Sequence, residues 1–285
     1  MTTGTTTARA TQVTQRVQLS DGGSLCVELQ GTRTDQPPLM LLRPLGGSMA
    51  LWGELAARLG QRRQIVAFDP RGVGASSDPP WFQTTRQMAA DAVAVLDALG
   101  LDRADVFGLS LGGMVASWLA IDHPLRVERL VLASTLPRAK RISRHVYTEV
   151  LGLLRWALVP GVEAEVGLVR QILSMSFRLH HPERVLAISD QIRRSPARRK
   201  NLALLALAAA RHDAEHLLPS ITAETLILVG ALDPIAGARS QAELLYDLPH
   251  ARLCILPDCG HDLSLEQPES TALEVDRFLL GGARA

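Results

Sequence analysis

The chain has 285 residues, of which 47% are hydrophobic and 21% are charged, a composition typical of a globular protein rather than a disordered one. The formal net charge of +1 excludes the strongly basic surface of most nucleic-acid-binding proteins. The longest apolar run, residues 202–210, is shorter than the about 20 residues that a membrane span needs. These values predict a globular protein with no nucleic-acid partner and no membrane segment.

Three cysteines, Cys26, Cys254 and Cys259, lack the number and spacing of a disulfide framework or a zinc site. Residues 1–14 are rich in threonine and lack the apolar centre of a secretory signal, so we expect a flexible tail there. Both features favour a cytoplasmic protein. No feature of the sequence predicts an oligomeric state.

From residue 15 onward, short apolar runs alternate with segments of helical periodicity, and this rhythm predicts an α/β fold. We expect a mostly parallel eight-stranded sheet flanked by helices, opened by a hairpin that turns at Asp21, Gly22 and Gly23. Function is expected at the carboxyl ends of the parallel strands. The predicted strands are residues 15–19, 24–30, 39–42, 64–68, 104–108, 127–133, 224–230 and 251–255.

The rhythm breaks between residues 137 and 216, which show helical periodicity and no convincing strand. We predict a helical cap inserted after the sixth strand, between core segments 15–136 and 217–285. The cap holds 14 lysines and arginines against 7 acidic residues, so it is more basic than the core. Apolar residues at near-helical spacing are expected to roof a pocket: Val150, Leu153, Leu154, Trp156, Leu158, Leu168 and Ile172.

A glycine–serine turn follows the fifth predicted strand. Gly108, Ser110 and Gly112 form a G-x-S-x-G motif between a strand and a helical segment, which is the context of a nucleophile elbow. The backbone of such a turn is strained, and the serine hydroxyl projects above the sheet. Ser110 is therefore the candidate nucleophile, and a glycine-rich turn with a helix-capping serine is the alternative interpretation.

A serine nucleophile needs a histidine base that is itself oriented by a carboxylate. Asp233 comes directly after the seventh predicted strand, and His261 follows the eighth. Asp258 and Asp262 flank the histidine and are poorly placed to orient its far ring nitrogen. We therefore predict that His261 is the general base and acid, and that Asp233 orients it.

The chain order Ser110, Asp233, His261 resembles the triad of the α/β-hydrolase superfamily. Residues 68–76 resemble its D-x-R-G-x-G-x-S loop, and residues 260–269 resemble its histidine loop with the helix that follows. This resemblance implies the α/β-hydrolase fold with a cap after strand 6.

The likeness covers residues 15–281, and the segments 45–47 and 108–134 are similar to those of 3-oxoadipate enol-lactonases and related small esterases. The resemblance implies an oxyanion hole built from the backbone N–H groups of Leu45 and Leu111. It implies no metal and no cofactor.

Arg43 and Pro44 depart from the family, most of whose members have His-Gly at this place. A buried arginine needs a partner. In one interpretation Arg43 is a brace toward Asp69 or the loop that follows Asp69. In the other it is a substrate-binding residue, because a guanidinium fits planar carboxylates and the cap is basic.

Together these residues predict a serine hydrolase that cleaves a carboxylic ester or lactone of a small organic molecule through an acyl-enzyme. The same triad serves acyltransferases, thioesterases, perhydrolases and C–C hydrolases, although the C–C hydrolases usually carry asparagine at the position of Leu109. A non-catalytic ligand-binding receptor on this fold is the alternative from a different functional class.

Overall fold

The computed structural model describes residues 12–139, 162–194 and 199–281, and within these ranges the chain forms an eight-stranded sheet. The strand order is β1-β2-β4-β3-β5-β6-β7-β8. The strands are β1 (Val13–Gln18), β2 (Ser24–Gln30), β3 (Leu39–Leu42), β4 (Ile65–Phe68), β5 (Ala104–Leu109), β6 (Val127–Ala133), β7 (Glu224–Gly230) and β8 (Ala251–Leu256).

Strand β2 runs antiparallel to both β1 and β4, and the other neighbouring strands pair in parallel. Every residue of β3, β4 and β5 is buried, because helices cover both faces of the sheet. The predicted fold class is therefore confirmed.

The helices of the core lie on the two faces of the sheet. Helices α2 (Thr85–Ala98) and α3 (Leu111–Asp122) pack with their apolar side chains on one face. Helices α1 (Gly53–Leu59) and α10 (Pro268–Leu279) pack on the other. None of the helices in the described ranges is long and apolar enough to cross a membrane.

Four helices lie between β6 and β7 in the described ranges: α4 (Val162–Ile172), α5 (Met175–His180), α6 (Pro182–Arg194) and α7 (Arg199–Ala210). Two further helices, α8 (Ala238–Asp247) and α9 (Leu263–Glu266), follow β7 and β8. Short 3₁₀ helices span Met49–Trp52, Pro124–Arg126 and Glu215–Ser220.

The two ends of the insertion meet at a narrow neck. Arg138 and Asp213 form an antiparallel bridge, and Ala139 N donates to His212 O at 3.0 Å. His212 is buried with Nδ1 2.9 Å from Thr85 Oγ1 in α2, and burial lowers its pKa to about 4. These contacts support the expected boundaries of the cap, which stay a prediction.

Strand β1 begins at Val13 rather than at residue 15, because Val13 already pairs with Leu29 of β2. The predicted tail therefore ends too late, and residues 1–11 lie outside the described residues. The predicted cap residues Val150, Leu153, Leu154, Trp156 and Leu158 also lie outside them.

Candidate active site

Ser110 occupies a sharp turn between β5 and α3. Its backbone has φ 55° and ψ −116°, a strained conformation for a residue with a side chain. Two hydrogen bonds hold the turn in place: Ser110 N donates to Ala133 O at 2.8 Å, and Thr135 Oγ1 donates to Ser110 O at 2.7 Å. The strain is thus maintained by the neighbouring strand β6 and its loop.

Glycine at position 112 is required by the close approach of strand β3. A Cβ at Gly112 would lie 2.0 Å from Leu42 O, so no other residue fits without moving the strand. The G-x-S-x-G motif therefore has the structural context that the sequence predicts for a nucleophile elbow.

The three predicted triad residues lie together at the carboxyl edge of the sheet. Ser110 Oγ is 2.9 Å from His261 Nε2. His261 Nδ1 is 3.0 Å from both carboxylate oxygens of Asp233. Asp233 Oδ1 also accepts hydrogen bonds from the backbone N–H groups of Ile235 and Ala236, which fix the carboxylate in place.

The loops that carry Asp233 and His261 pack directly on each other. A Cβ at Gly230 would lie 2.2 Å from Gly260 O, so only glycine permits this approach. Leu232 N donates to Cys259 O at 2.9 Å. The backbone contacts set the distance between the histidine and its carboxylate.

Burial alone would disfavour both charged side chains of the pair, but their mutual attraction outweighs it. The pKa of His261 lies above its ordinary value because the carboxylate of Asp233 faces the ring. The pKa of Asp233 lies below its ordinary value because it accepts from His261 and from two backbone N–H groups. The arrangement stabilises an imidazolium, the charged form that a histidine base takes when it removes a serine proton.

Ser110 and His261 open into a pocket between the core and the helices of the insertion. Leu168 and Ile172 of α4 line it, as the sequence predicts, together with Ile192 of α6 and Leu202 of α7. The contributions of α6 and α7 were not predicted, because nothing in their periodicity shows which turn faces the site. The pocket is mainly apolar, which suits a small organic ligand.

The two predicted oxyanion donors are Leu111, which directly follows Ser110, and Leu45. Leu111 is the first residue of α3, where backbone N–H groups have no acceptor within the helix. Leu45 lies in the pocket wall with Ser110 and His261. Their role as an oxyanion hole stays a prediction.

The expectation that Arg43 braces Asp69 is wrong. Arg43 Nη2 instead lies 3.2 Å from Oδ2 of Asp262, and Arg43 Nη1 donates to Ser264 Oγ at 3.0 Å. The carboxylate of Asp69 accepts from the backbone N–H groups of Met49 and Ala75. Asp69 therefore has backbone partners, and Arg43 pairs with the carboxylate next to His261.

The guanidinium of Arg43 also lies 4.5 Å from the ring centroid of Trp52, a cation–π contact. Burial lowers the pKa of Arg43, and the carboxylate of Asp262 opposes that effect. An arginine nevertheless stays charged in a protein. Arg43 lines the pocket, so its predicted contact with substrate stays open as a proposal.

The histidine loop is also tied to the cap, a link that the sequence analysis did not predict. Asp262 N donates to Ile172 O at 2.9 Å, and the buried carboxylate of Glu266 accepts from Ser174 N at 2.9 Å and from the Ser174 hydroxyl. Cys259 in the same loop is fully buried, and burial raises the pKa of its thiol. This favours packing over a nucleophilic role for Cys259.

Residues 37–268 match the family model of the alpha/beta hydrolase fold. The chain is 28% identical over 239 residues to 3-oxoadipate enol-lactonase 2 of Acinetobacter baylyi, covering 84% of this chain and 86% of that protein. It is 30% identical over 252 residues to 2-hydroxymuconate semialdehyde hydrolase of Pseudomonas sp., and this match covers 85% of this chain and 86% of that protein.

Among solved structures, a hydrolase from Pseudomonas aeruginosa PA01 superposes with a TM-score of 0.81 at 29% identity, covering 94% of this chain and 98% of that one. The likeness to enol-lactonases that the motifs imply is confirmed. With the family model matched over most of its length, the chain belongs to the α/β-hydrolase family and is an enzyme of that family.

Proposed function

We propose that this protein is a serine hydrolase that cleaves a carboxylic ester or lactone of a small organic molecule. The observation that carries the proposal is the continuous chain of contacts from Ser110 Oγ through the ring of His261 to Asp233, with steps of 2.9 and 3.0 Å. A serine hydroxyl is a weak nucleophile until a base removes its proton. This geometry supports His261 as the base and Asp233 as the group that orients it.

In the proposed reaction, His261 Nε2 takes the proton of Ser110 as Oγ attacks the acyl carbon. Asp233 stabilises the imidazolium that forms and keeps its Nδ1–H directed away from the substrate. His261 then protonates the leaving alcohol or enol, and an acyl-enzyme remains on Ser110. Water repeats the sequence in the second half of the reaction.

The negative charge that develops on the carbonyl oxygen needs donors in the same pocket. We assign this role to the backbone N–H groups of Leu111 and Leu45, on the position of Leu111 after the nucleophile and of Leu45 in the pocket wall. One such donor typically contributes about 3 to 4 kcal/mol to the transition state. The proposed chemistry needs no metal and no cofactor.

The names of the relatives support hydrolysis as the shared reaction, since they denote an enol-lactonase and a semialdehyde hydrolase. The apolar lining of the pocket supports a small organic substrate. The cytoplasm stays the expected compartment, on the sequence features given above.

The proposal is tested by hydrolysis of p-nitrophenyl acetate, butyrate and octanoate by the parent protein and its Ser110→Ala variant. We expect turnover by the parent and a loss of at least about 10³-fold in kcat for the variant, because the nucleophile is gone. A fluorophosphonate should label the parent at Ser110 and leave the variant unlabelled.

Ser134 provides a matched control, because it is a buried serine with positive φ at the end of the adjacent strand β6. The Ser134→Ala variant should keep the turnover and the labelling of the parent. If the parent showed neither ester hydrolysis nor labelling at Ser110, the proposed function would be refuted in favour of a non-catalytic receptor.

A further inference from the structure

A buried ion pair forms part of the pocket wall. The side chains of Arg43 and Asp262 are 1% and 4% exposed, and their nearest charged atoms are 3.2 Å apart. Ser264 connects them, because its hydroxyl accepts from Arg43 Nη1 at 3.0 Å and donates to Asp262 Oδ1 at 2.5 Å. The positive charge of Arg43 is therefore already matched by a carboxylate of the protein.

The rest of the described pocket wall offers no other formal charge apart from His261, which is engaged with Asp233. Its lining side chains are mainly aliphatic, as at Leu51, Leu168 and Leu265. Arg43 and Asp262 thus form one ion pair in the pocket wall, and their formal charges sum to zero.

The pairing decides what Arg43 can do with a ligand. A free guanidinium at this place would attract a carboxylate on the substrate and bind it through two parallel hydrogen bonds. A guanidinium that is paired with Asp262 offers no net charge. A substrate carboxylate beside it would lose its water and meet the like charge of Asp262, which disfavours binding.

We propose that Asp262 determines the substrate class of this site: by holding Arg43 it closes the pocket to carboxylate-bearing acyl groups, so the enzyme takes neutral esters and lactones. This inference rests on the proposed function. Specificity then comes as much from repulsion of carboxylate-bearing substrates as from attraction of neutral ones.

The first test uses the parent protein with two esters that differ in one group, ethyl butyrate and monoethyl succinate, in which a carboxylate replaces the terminal methyl of the acyl chain. Acid release is followed in a pH-stat. We expect kcat/KM for ethyl butyrate to exceed that for monoethyl succinate by at least ~10-fold. Equal values, or a preference for succinate, would overturn the inference.

The second test is the Asp262→Asn variant, which keeps the shape of the side chain and removes its charge. Arg43 then carries an unmatched charge in the pocket wall, and the ratio of kcat/KM for succinate to that for butyrate should rise at least ~10-fold. Asp262 is next to His261, so the substitution can also lower activity in general. Such a loss affects both esters alike and leaves the ratio of their kcat/KM values unchanged.

Two further variants separate charge from structure. Ser264→Ala removes the hydroxyl that bridges the pair but leaves both charges, so its substrate ratio should equal that of the parent. The double variant Asp262→Asn with Arg43→Met lacks the cation, and the gain toward succinate should disappear. An unchanged ratio in Asp262→Asn, or a gain that survives the loss of Arg43, would contradict the proposal.

The failure of this inference is distinguishable from the failure of the proposed function. Activity on ethyl butyrate that depends on Ser110, together with a preference for succinate, would overturn the role of Asp262 alone. Loss of Ser110-dependent hydrolysis and labelling altogether would refute the serine hydrolase itself. Should Asp262→Asn fail to fold, equal values for the two esters or a preference for succinate in the parent would still overturn the inference.

Discussion

The two edges of the sheet each hold a buried arginine–aspartate pair, and only one of them adjoins the candidate active site. At the carboxyl edge Arg43 meets Asp262 at 3.2 Å, with Ser264 between them. At the amino edge Arg63 meets Asp105 at 2.6 Å, and both side chains are at most 1% exposed. The same two residue types thus occur in two different environments.

Backbone strain distinguishes the two edges. In the described ranges, the non-glycine residues with positive φ are Ser110, Ser134 and Asp258, which follow the carboxyl ends of β5, β6 and β8. The amino edge has none of them. Backbone strain is therefore concentrated at the edge where the candidate triad lies, and the described residues of the opposite edge show none of it. The difference teaches that a buried ion pair affects function when functional residues lie next to it, and that the geometry of the pair alone does not show this.

We expect the largest effect from a substitution at the carboxyl edge that lowers catalytic activity and leaves the stability of the fold nearly unchanged. Asp233→Asn should lower kcat by about 10⁴-fold, because asparagine stabilises the wrong tautomer of His261. The free energy of unfolding, measured by urea denaturation, should change by less than about 2 kcal/mol, since the substitution is isosteric. Activity is measured with p-nitrophenyl butyrate.

Asp258→Asn is the control for that prediction, because Asp258 is an exposed carboxylate in the same loop as His261 and asparagine tolerates its positive φ of 51°. We expect it to retain the activity of the parent. Loss of activity in Asp258→Asn and retention in Asp233→Asn would reverse the assignment of the triad acid.

At the amino edge the effects should be the opposite. Arg63→Met leaves Asp105 buried without its partner, so the free energy of unfolding should fall by about 3 to 5 kcal/mol while kcat/KM of the folded protein stays within about twofold. Arg62→Met serves as the control, because the Arg62 side chain is 63% exposed and lies 3.5 Å from Asp276. Such a surface pair contributes at most about 1 kcal/mol. A decrease in kcat of much more than twofold in Arg63→Met would contradict the assignment of catalysis to the carboxyl edge alone.

The smallest expected effect is a dependence of stability on pH at the amino edge. Burial raises the pKa of Asp105 to about 6, against an ordinary value of 3.8, and Arg63 only partly opposes this. Between about pH 4 and pH 6 the folded protein therefore holds a proton that the unfolded chain has released. Stability should fall as the pH rises through this window, by up to about 3 kcal/mol.

The measurement is the free energy of unfolding of the parent minus that of Asp105→Asn at each pH. His212, whose lowered pKa gives the opposite slope because it must be charged on acid unfolding, is present in both proteins and cancels in the difference. The difference should decrease from pH 4 to pH 6 and then level off. A difference that rises with pH would show that Arg63 holds the Asp105 carboxylate ionised.

Much of the fold could be predicted from the sequence because its signals are local. Apolar runs of strand length, separated by helical periods, predicted all eight strands to within two residues at each end. Strand β1 was misplaced at its start, since Val13 and its neighbours are exposed and polar in part, and only pairing with β2 defines them as a strand. An exposed edge strand leaves no clear apolar pattern.

The candidate triad was predictable for a related reason. Ser110 directly follows β5, and Asp233 and His261 lie in the loops after β7 and β8. Because the carboxyl ends of parallel strands meet at one edge, the topology brings these three residues together. Gly108 is required by a local contact, because a Cβ there would lie 2.4 Å from Gly112 O in the same turn, whereas the space at Gly112 is limited by Leu42 of β3, a contact made only in the folded protein.

By itself, the sequence determined the order of strands and helices, the class of fold and the identity of the residues at the carboxyl edge, because these depend on local periodicity and on the rules of parallel sheets. Only the tertiary structure decided which charges pair. Arg43 and Asp262 are far apart in the chain and pair at 3.2 Å, whereas Asp69 accepts hydrogen bonds from two backbone N–H groups, and only the folded chain shows either contact. The turns of α6 and α7 that reach the pocket were likewise decided by packing, since the sequence of a helix does not show which of its turns meets the site.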